Sequence, residues 1–207
     1  MSDESTPRPR GRPKTFDRAH ALDTAVDSYW REGVDAVSLN EICRRAGVAK
    51  PGLYREFGDE DHLMDAALTR YHADVLVPLL ASLRDDRPFR ETLEFLLAAI
   101  TTPTVAGGPS GCLIAKMRAA RLRLGPVTGE HIDRISIEMK AAYAAWLRRC
   151  AQSGDIELSE SVETTASYID AQLTMALNRI GAGEDPTTAR THTRMAFAAI
   201  IGPSTIG

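Results

Sequence analysis

The sequence predicts an all-α chain, with a three-helix domain near the N-terminus and a larger helical domain after it. Two observations carry that expectation. Apolar residues recur at three- and four-residue spacing through every long segment, which marks one face of a helix. Residues 39–57, LNEICRRAGVAKPGLYREF, are in addition punctuated as two short helices joined by a tight turn.

Residues 1–16 hold prolines at 7, 9 and 13 and no hydrophobic period, so they read as a disordered basic arm. Arg8, Arg10, Arg12 and Lys14 alternate around Gly11 and Pro13, and Arg-Gly-Arg-Pro resembles the minor-groove-reading core of AT-hook peptides. Residues 17–58 form the first folded domain. Asp17 caps a helix that carries Ala21, Leu22, Ala25, Val26, Tyr29 and Trp30 on one stripe, and Gly33 ends it. Tyr29 and Trp30 are expected in the core. Ser38 with Glu41 three residues later is a capping box, in which each side chain satisfies the other's free backbone N–H. Leu39, Ile42, Cys43 and Ala46 follow at helical spacing, and Gly47 stops the helix in a left-handed turn. Pro51 suits the first turn of the next helix, which continues through Leu53, Tyr54 and Phe57. The result is a helix-turn-helix whose second helix exposes its N-terminal end, a shape that fits a DNA major groove. Ala49, Lys50, Pro51, Gly52, Tyr54 and Arg55 line that end, with Arg44 and Arg45 beside it.

SLNEICRRA followed by GVAKPGLYREFGDEDHL resembles the DNA-binding domain of the TetR/AcrR family of bacterial transcriptional regulators, over about residues 10 to 68. The resemblance implies an all-α fold of about nine helices and a homodimer. It also implies a palindromic double-stranded DNA operator and release from it by a small-molecule effector, most often with repression as the outcome. The family usually has Ser-Lys-Glu after the motif phenylalanine, the lysine reaching a phosphate. Here Gly58-Asp59-Glu60-Asp61 stands in its place, and Glu60 repels phosphate while suiting a helix N-terminus. Glu56 is a second acidic departure.

Residues 59–207 then make the effector-binding and dimerisation domain. A long helix is expected from Asp59 to about Arg84, kinked at Pro78, then one from Phe89 to Ile100. TTPTVAGGPSG at 101–111 is a loop, Cys112–Leu124 a helix with Leu113, Ile114, Met117 and Leu122 inward, and Glu130–Ser153 another. Ser159–Gly181 follows with a Ser cap, and Pro186 opens the last helix. Met117, Met139, Tyr143 and Trp146 are the pocket candidates. From the family's pairing of its last two long helices with their symmetry mates, Ile169, Leu173, Ala176, Met195 and Ala199 are the dimer candidates.

Net charge is −3, yet from Arg8 to Arg55 there are 10 Lys or Arg against 6 Asp or Glu, and the basic excess coincides with the motif. Cys43, Cys112 and Cys150 are odd in number and far apart, which argues against a disulfide framework or metal cluster. Neither a membrane-length apolar run nor a signal peptide is found, so a cytoplasmic, soluble protein without cofactor is expected. The five histidines are scattered and no phosphate loop, zinc pair or nucleophile elbow occurs, leaving an enzyme reading without support. A second reading keeps the helical body as a ligand or redox sensor, with Cys112 near a helix start, acting through a protein partner after DNA binding has been lost.

Overall fold

The computed structural model describes residues 16–102 and 108–198. Helices account for all regular elements among them, and none of these helices is long and apolar enough to cross a membrane. Arg8, Arg10, Arg12, Lys14 and Ala199 lie outside the described residues.

Three helices form the head. In α1 (Arg18–Glu32) the Asp17 carboxylate accepts from the His20 amide at 3.0 Å, and Gly33 follows the last turn. In α2 (Leu39–Ala46) Ser38 Oγ accepts from the Glu41 amide at 3.3 Å. The reciprocal half of the capping box does not form, because Arg44 and Arg45 claim the Glu41 carboxylate at 2.6 and 2.7 Å. Gly47 takes φ 64° and ψ 30°, the left-handed turn that a side chain would strain. This turn lets the Val48 amide reach back to the Cys43 carbonyl at 3.0 Å. Pro51 sits in the first turn of α3 (Lys50–Phe57), where its missing N–H leaves nothing unpaired. Tyr29, Ile42, Leu53 and Phe57 close the head's core.

The connecting helix α4 (Glu60–Tyr71) starts at Asp59, whose carboxylate accepts from the His62 amide at 2.9 Å. Glu60 and Asp61 stand in its first turn, as the helix dipole favours. A kink is expected at Pro78, but the irregularity lies a turn earlier, as a π-helical turn at His72–Leu76 running directly into α5 (Val77–Ser82). The Val77 amide bonds to the His72 carbonyl five residues back, and this widened turn absorbs the clash and the missing donor of the proline ring. Counted as one rod, α4 to α5 brings the described residues to nine helices.

The body continues with α6 (Phe89–Thr101), α7 (Leu113–Ala119), a 3₁₀ turn at Arg121–Arg123, α8 (Pro126–Gln152), α9 (Val162–Gly181) and α10 (Pro186–Ala198). Three sequence expectations are corrected here. The segment 112–124 is not one helix, because the chain must turn before Pro126, and the 3₁₀ turn points Leu122 fully into solvent. Helix α8 begins about a turn earlier than Glu130, with Pro126 in its first turn. The cap of α9 is Ser161, accepting from the Thr164 amide at 3.1 Å, instead of Ser159.

A single core runs from head to body. It includes the Phe89 and Trp146 rings, stacked with centroids 4.7 Å apart. Ile169 and Leu173 belong to it as well, and Ala176 is buried on the same side of α9, each with at most 4% of its surface exposed, so the apolar stripe of α9 packs against its own chain and is not available to a partner.

Helix α10 is pinned to α6 through Glu94, which binds Arg194 at 2.8 Å and Arg190 at 2.7 Å. The Arg194 guanidinium first, and Arg190 after it, hold the Glu94 carboxyl down to about 2 from its ordinary 4.5. A carboxyl depressed by folding stabilises fully above its unfolded value and loses that contribution as pH falls through the folded one. Protection factors of α10 amides, taken against the intrinsic exchange rate at each pH, should therefore fall between pH 4.5 and about 2. In Glu94→Gln, exchange should already be fast at neutral pH and lack that acid step; an unaltered step in the variant would assign it to another group.

Candidate nucleic-acid interface and ligand cavity

The reading end of the head is built from α2 and α3. Ala49, Lys50 and Pro51 are exposed at the start of α3, and Tyr54 follows one turn on with 40% of its surface exposed. The Lys50 ammonium lies 5.5 Å from the Tyr54 ring centroid, so the two form one cationic, aromatic surface. Gly52 has a different neighbour from the one its sequence position suggests. A Cβ there would stand 3.0 Å from the Phe16 ring, so its lack of a side chain admits Phe16, the residue that follows the arm. Arg55 is exposed and 3.3 Å from the Glu56 carboxylate.

The two arginines of α2 part company. Arg44 projects into solvent, with Glu41 as its partner among the described residues. Arg45 is a strut between α1 and α2, paired with Glu32 and Glu41 and donating to Ser28 Oγ at 3.1 Å. Glu41 answers both guanidiniums, Arg44 first, and its carboxyl falls to about 2. Arg45 therefore fixes the geometry of the motif and has little left with which to reach a phosphate.

Between head and body lies an apolar cavity with about 960 Å³ of empty space, its open mouth included. Met139 and Tyr143 line it, as the sequence suggests, but Met117 and Trp146 do not. Met117 is fully buried elsewhere in the core, and Trp146 is engaged by Phe89. The walls the sequence did not suggest are Trp30 from α1, Tyr71 from α4, Cys112 and Arg118. Trp30 meets Tyr71 edge to face at 4.8 Å, and the Tyr71 hydroxyl donates to Cys112 Sγ at 3.3 Å. The other two thiols are buried, which pushes both up, Cys150 to about 11.

The cavity sits on a seam of hydrogen bonds that ties head to body. Lys116 Nζ donates to the Trp30 and Arg31 carbonyls at 2.6 and 2.7 Å, closing the C-terminal end of α1 from α7. Burial beside those groups lowers the Lys116 pKa. Trp30 Nε1 donates to the Gly111 carbonyl at 3.1 Å. Gly111 has φ 78°, and a Cβ there would meet the Leu177 carbonyl at 2.8 Å, so only glycine brings that carbonyl so close to α9. On the opposite side Asp61 accepts from the Val127 and Thr128 amides at 2.9 and 3.1 Å, capping α8 from α4. His131 with Asp65 at 2.6 Å, and His72 with Glu138 at 2.9 Å, continue the same α4–α8 seam. Among the described residues no group of three His, Cys, Asp or Glu is placed to hold a metal ion. None of the seam bonds is visible in local spacing, because their partners stand 66 to 86 residues apart.

These elements define a helix-turn-helix head on an all-helical body whose cavity is partly walled by Trp30 of the head and Tyr71 of the connecting helix. Residues 21–67 match the family model described as bacterial regulatory proteins, tetR family. The likeness to that family is carried by this segment, the helix-turn-helix with its flanking helices. The chain is 36% identical over 105 residues to the HTH-type transcriptional repressor BdcR of Escherichia coli K12, covering 50% of this chain and 53% of that protein. It is 41% identical over 70 residues to the repressor ComR of the same organism, covering 34% of this chain and 33% of that one. The match thus spans about half, or less, of the length of these curated relatives. In fold it is similar to a cysteine-substituted TetR-family regulator CifR, solved with a 26 bp double-stranded operator DNA, with TM-score 0.72 at 22% identity over 92% of this chain and all of that one.

Replacing Lys116 with methionine should lower the unfolding free energy by about 1–3 kcal/mol, since two helix-terminal carbonyls lose a charged donor. Urea denaturation measures it; stability equal to the parent would show that water replaces the ammonium at no cost.

Proposed function

We propose that the chain is a sequence-specific DNA-binding transcriptional regulator, most simply a repressor released from its operator by a small molecule. The observation that carries this reading is the sharing of walls. Trp30 and Tyr71 line the cavity, while α1 and α4, to which they belong, carry the exposed α3 end. A ligand with different affinity for two arrangements of these helices shifts the population between them. The seam gives that shift a direct route to the reading end, through Lys116 at α1 and Asp61 at α8. The E. coli relatives named as repressors, and the operator complex of CifR, support the same reading.

On DNA, Lys50 and Tyr54 contact base edges or phosphates in the major groove, and Arg44 and Arg55 add exposed charge. The arm with Arg8, Arg10, Arg12 and Lys14 joins the fold at Phe16 beside α3, from where it extends into the adjacent minor groove. Two copies read a palindrome with half-sites roughly one helical turn apart. For the dimer, the outward faces of α9 and α10 replace the stripe buried inside the chain. Met175 and Met195 are 54% and 67% exposed there, and Ala171 and Asn178 share their side of α9.

A mobility-shift assay against DNA flanking the gene, or against a randomised pool, tests this reading. A discrete complex is expected, resistant to competitor and weakening steeply as salt rises. Lys50→Ala and Tyr54→Ala should each reduce affinity about tenfold or more, and removal of residues 1–15 should reduce it further. Leu122→Ser, at a fully exposed site on the body, is the control and should bind as the parent does. Equal binding by the two α3 variants would refute the assigned reading end.

A further inference from the structure

We infer that the cavity selects an uncharged, ring-bearing molecule with one hydrogen-bond acceptor, and that it discriminates against both carboxylates and amines. This rests on the ligand-release reading above and specifies what the ligand is.

Charge supplies the first argument. Arg118 is the only charged side chain among the described residues lining the cavity, and its charge is already paired. Its Nη1 donates to both Asp170 oxygens at 3.1 Å and to Thr174 at 3.3 Å. Nε donates to Ser136 at 2.9 Å, and Nη2 lies 3.4 Å from Met139 Sδ. Both partners of the Arg118–Asp170 pair keep only 16% of their side-chain surface exposed. An anionic ligand would set a second negative charge beside the largely buried Asp170 carboxylate and compete with it for one guanidinium. A cationic ligand would meet the guanidinium with no free carboxylate in the wall to receive it. A neutral ligand disturbs neither.

A buried hydroxyl on the wall sets the acceptor. Tyr143 is buried on the cavity wall, and its hydroxyl makes no hydrogen bond among the described residues. Burial first, and the nearby Asp170 second, raise its pKa, so it stays protonated and donates. A desolvated donor without a partner favours a ligand that brings an acceptor. Trp30, Tyr71 and Tyr143 put three aromatic rings around the space, which suits a flat ring packed face or edge against them. The loop ends at the cavity, Thr102 and Pro109 to Gly111, carry no charge to attract an ion.

The test uses the full chain without DNA and four shape-matched probes in isothermal titration calorimetry: acetylnaphthalene, naphthoate, naphthylmethylammonium and ethylnaphthalene. Acetylnaphthalene should bind at least about tenfold tighter than either ion. It should also exceed ethylnaphthalene by about tenfold, and Tyr143→Phe should erase that second margin alone. Naphthoate or the ammonium binding as well as the ketone overturns the proposal, and so does the absence of heat with the ketone up to its solubility. The ranking of charges needs only the parent protein, so it stands even where Tyr143→Phe folds poorly. Because no operator is present, a failed ranking leaves the regulator reading intact. A failed operator complex in the mobility-shift assay leaves the ranking intact.

Discussion

Two side chains that each close the end of a distant helix hold the head and its connecting helix in register with the body. Lys116 of the body donates to the last carbonyls of α1, and Asp61 at the start of α4 accepts the first amides of α8. Helix ends leave backbone groups without intrahelical partners, and the dipole makes the C-terminal end negative and the N-terminal end positive. An ammonium at the first and a carboxylate at the second satisfy both the hydrogen bonds and the charge. Moving the head and connecting helix as a unit relative to the body breaks both clasps together, which makes the joint favour discrete arrangements over a continuous slide.

The cavity lies on that same joint, and Trp30 shows why this matters. Its indole bonds to Gly111, its edge rests on Tyr71, its own carbonyl is held by Lys116, and it walls the cavity. One residue therefore feels the cavity's contents and the orientation of α1 at once. The π-helical turn at His72–Leu76 sits immediately beyond Tyr71 in the same rod, so the adjoining wall belongs to its least regular stretch. Widened turns repack at lower cost than a regular helix, which places mechanical give beside the cavity and not within the helix-turn-helix.

The head was legible in the sequence because its determinants are local. Asp17, Ser38, Gly47 and Pro51 each act within four residues of their own position, so spacing alone locates them. The seam was not. Asp61 reads as an acid suited to a helix start, and Lys116 as one cation on a helix, since nothing nearby reveals a partner 66 or 86 residues away. Trp30 reads as core for the same reason, and only the fold shows that one side of it borders empty space. Met117 and Trp146 mark the converse error. Large apolar residues near a pocket in sequence are consumed by packing, here against the core and against Phe89, and leave the wall to others.

The face of α9 follows the same logic. Ile169, Leu173 and Ala176 form its most apolar stripe, and that stripe is the one a helix spends on its own chain, because burial within the chain comes before any partner arrives. What remains outward is Ala171, Met175 and Asn178, a surface of small side chains with one flexible thioether, matched by Met195 on α10. Small residues admit close approach of a second pair of helices, and methionines adapt their shape to whatever spacing results. In the dimer proposed above, a face of this kind tolerates small changes of crossing angle better than a stripe of interlocked branched residues would. That tolerance is what a regulator needs if two heads are to change their separation while the bodies stay joined.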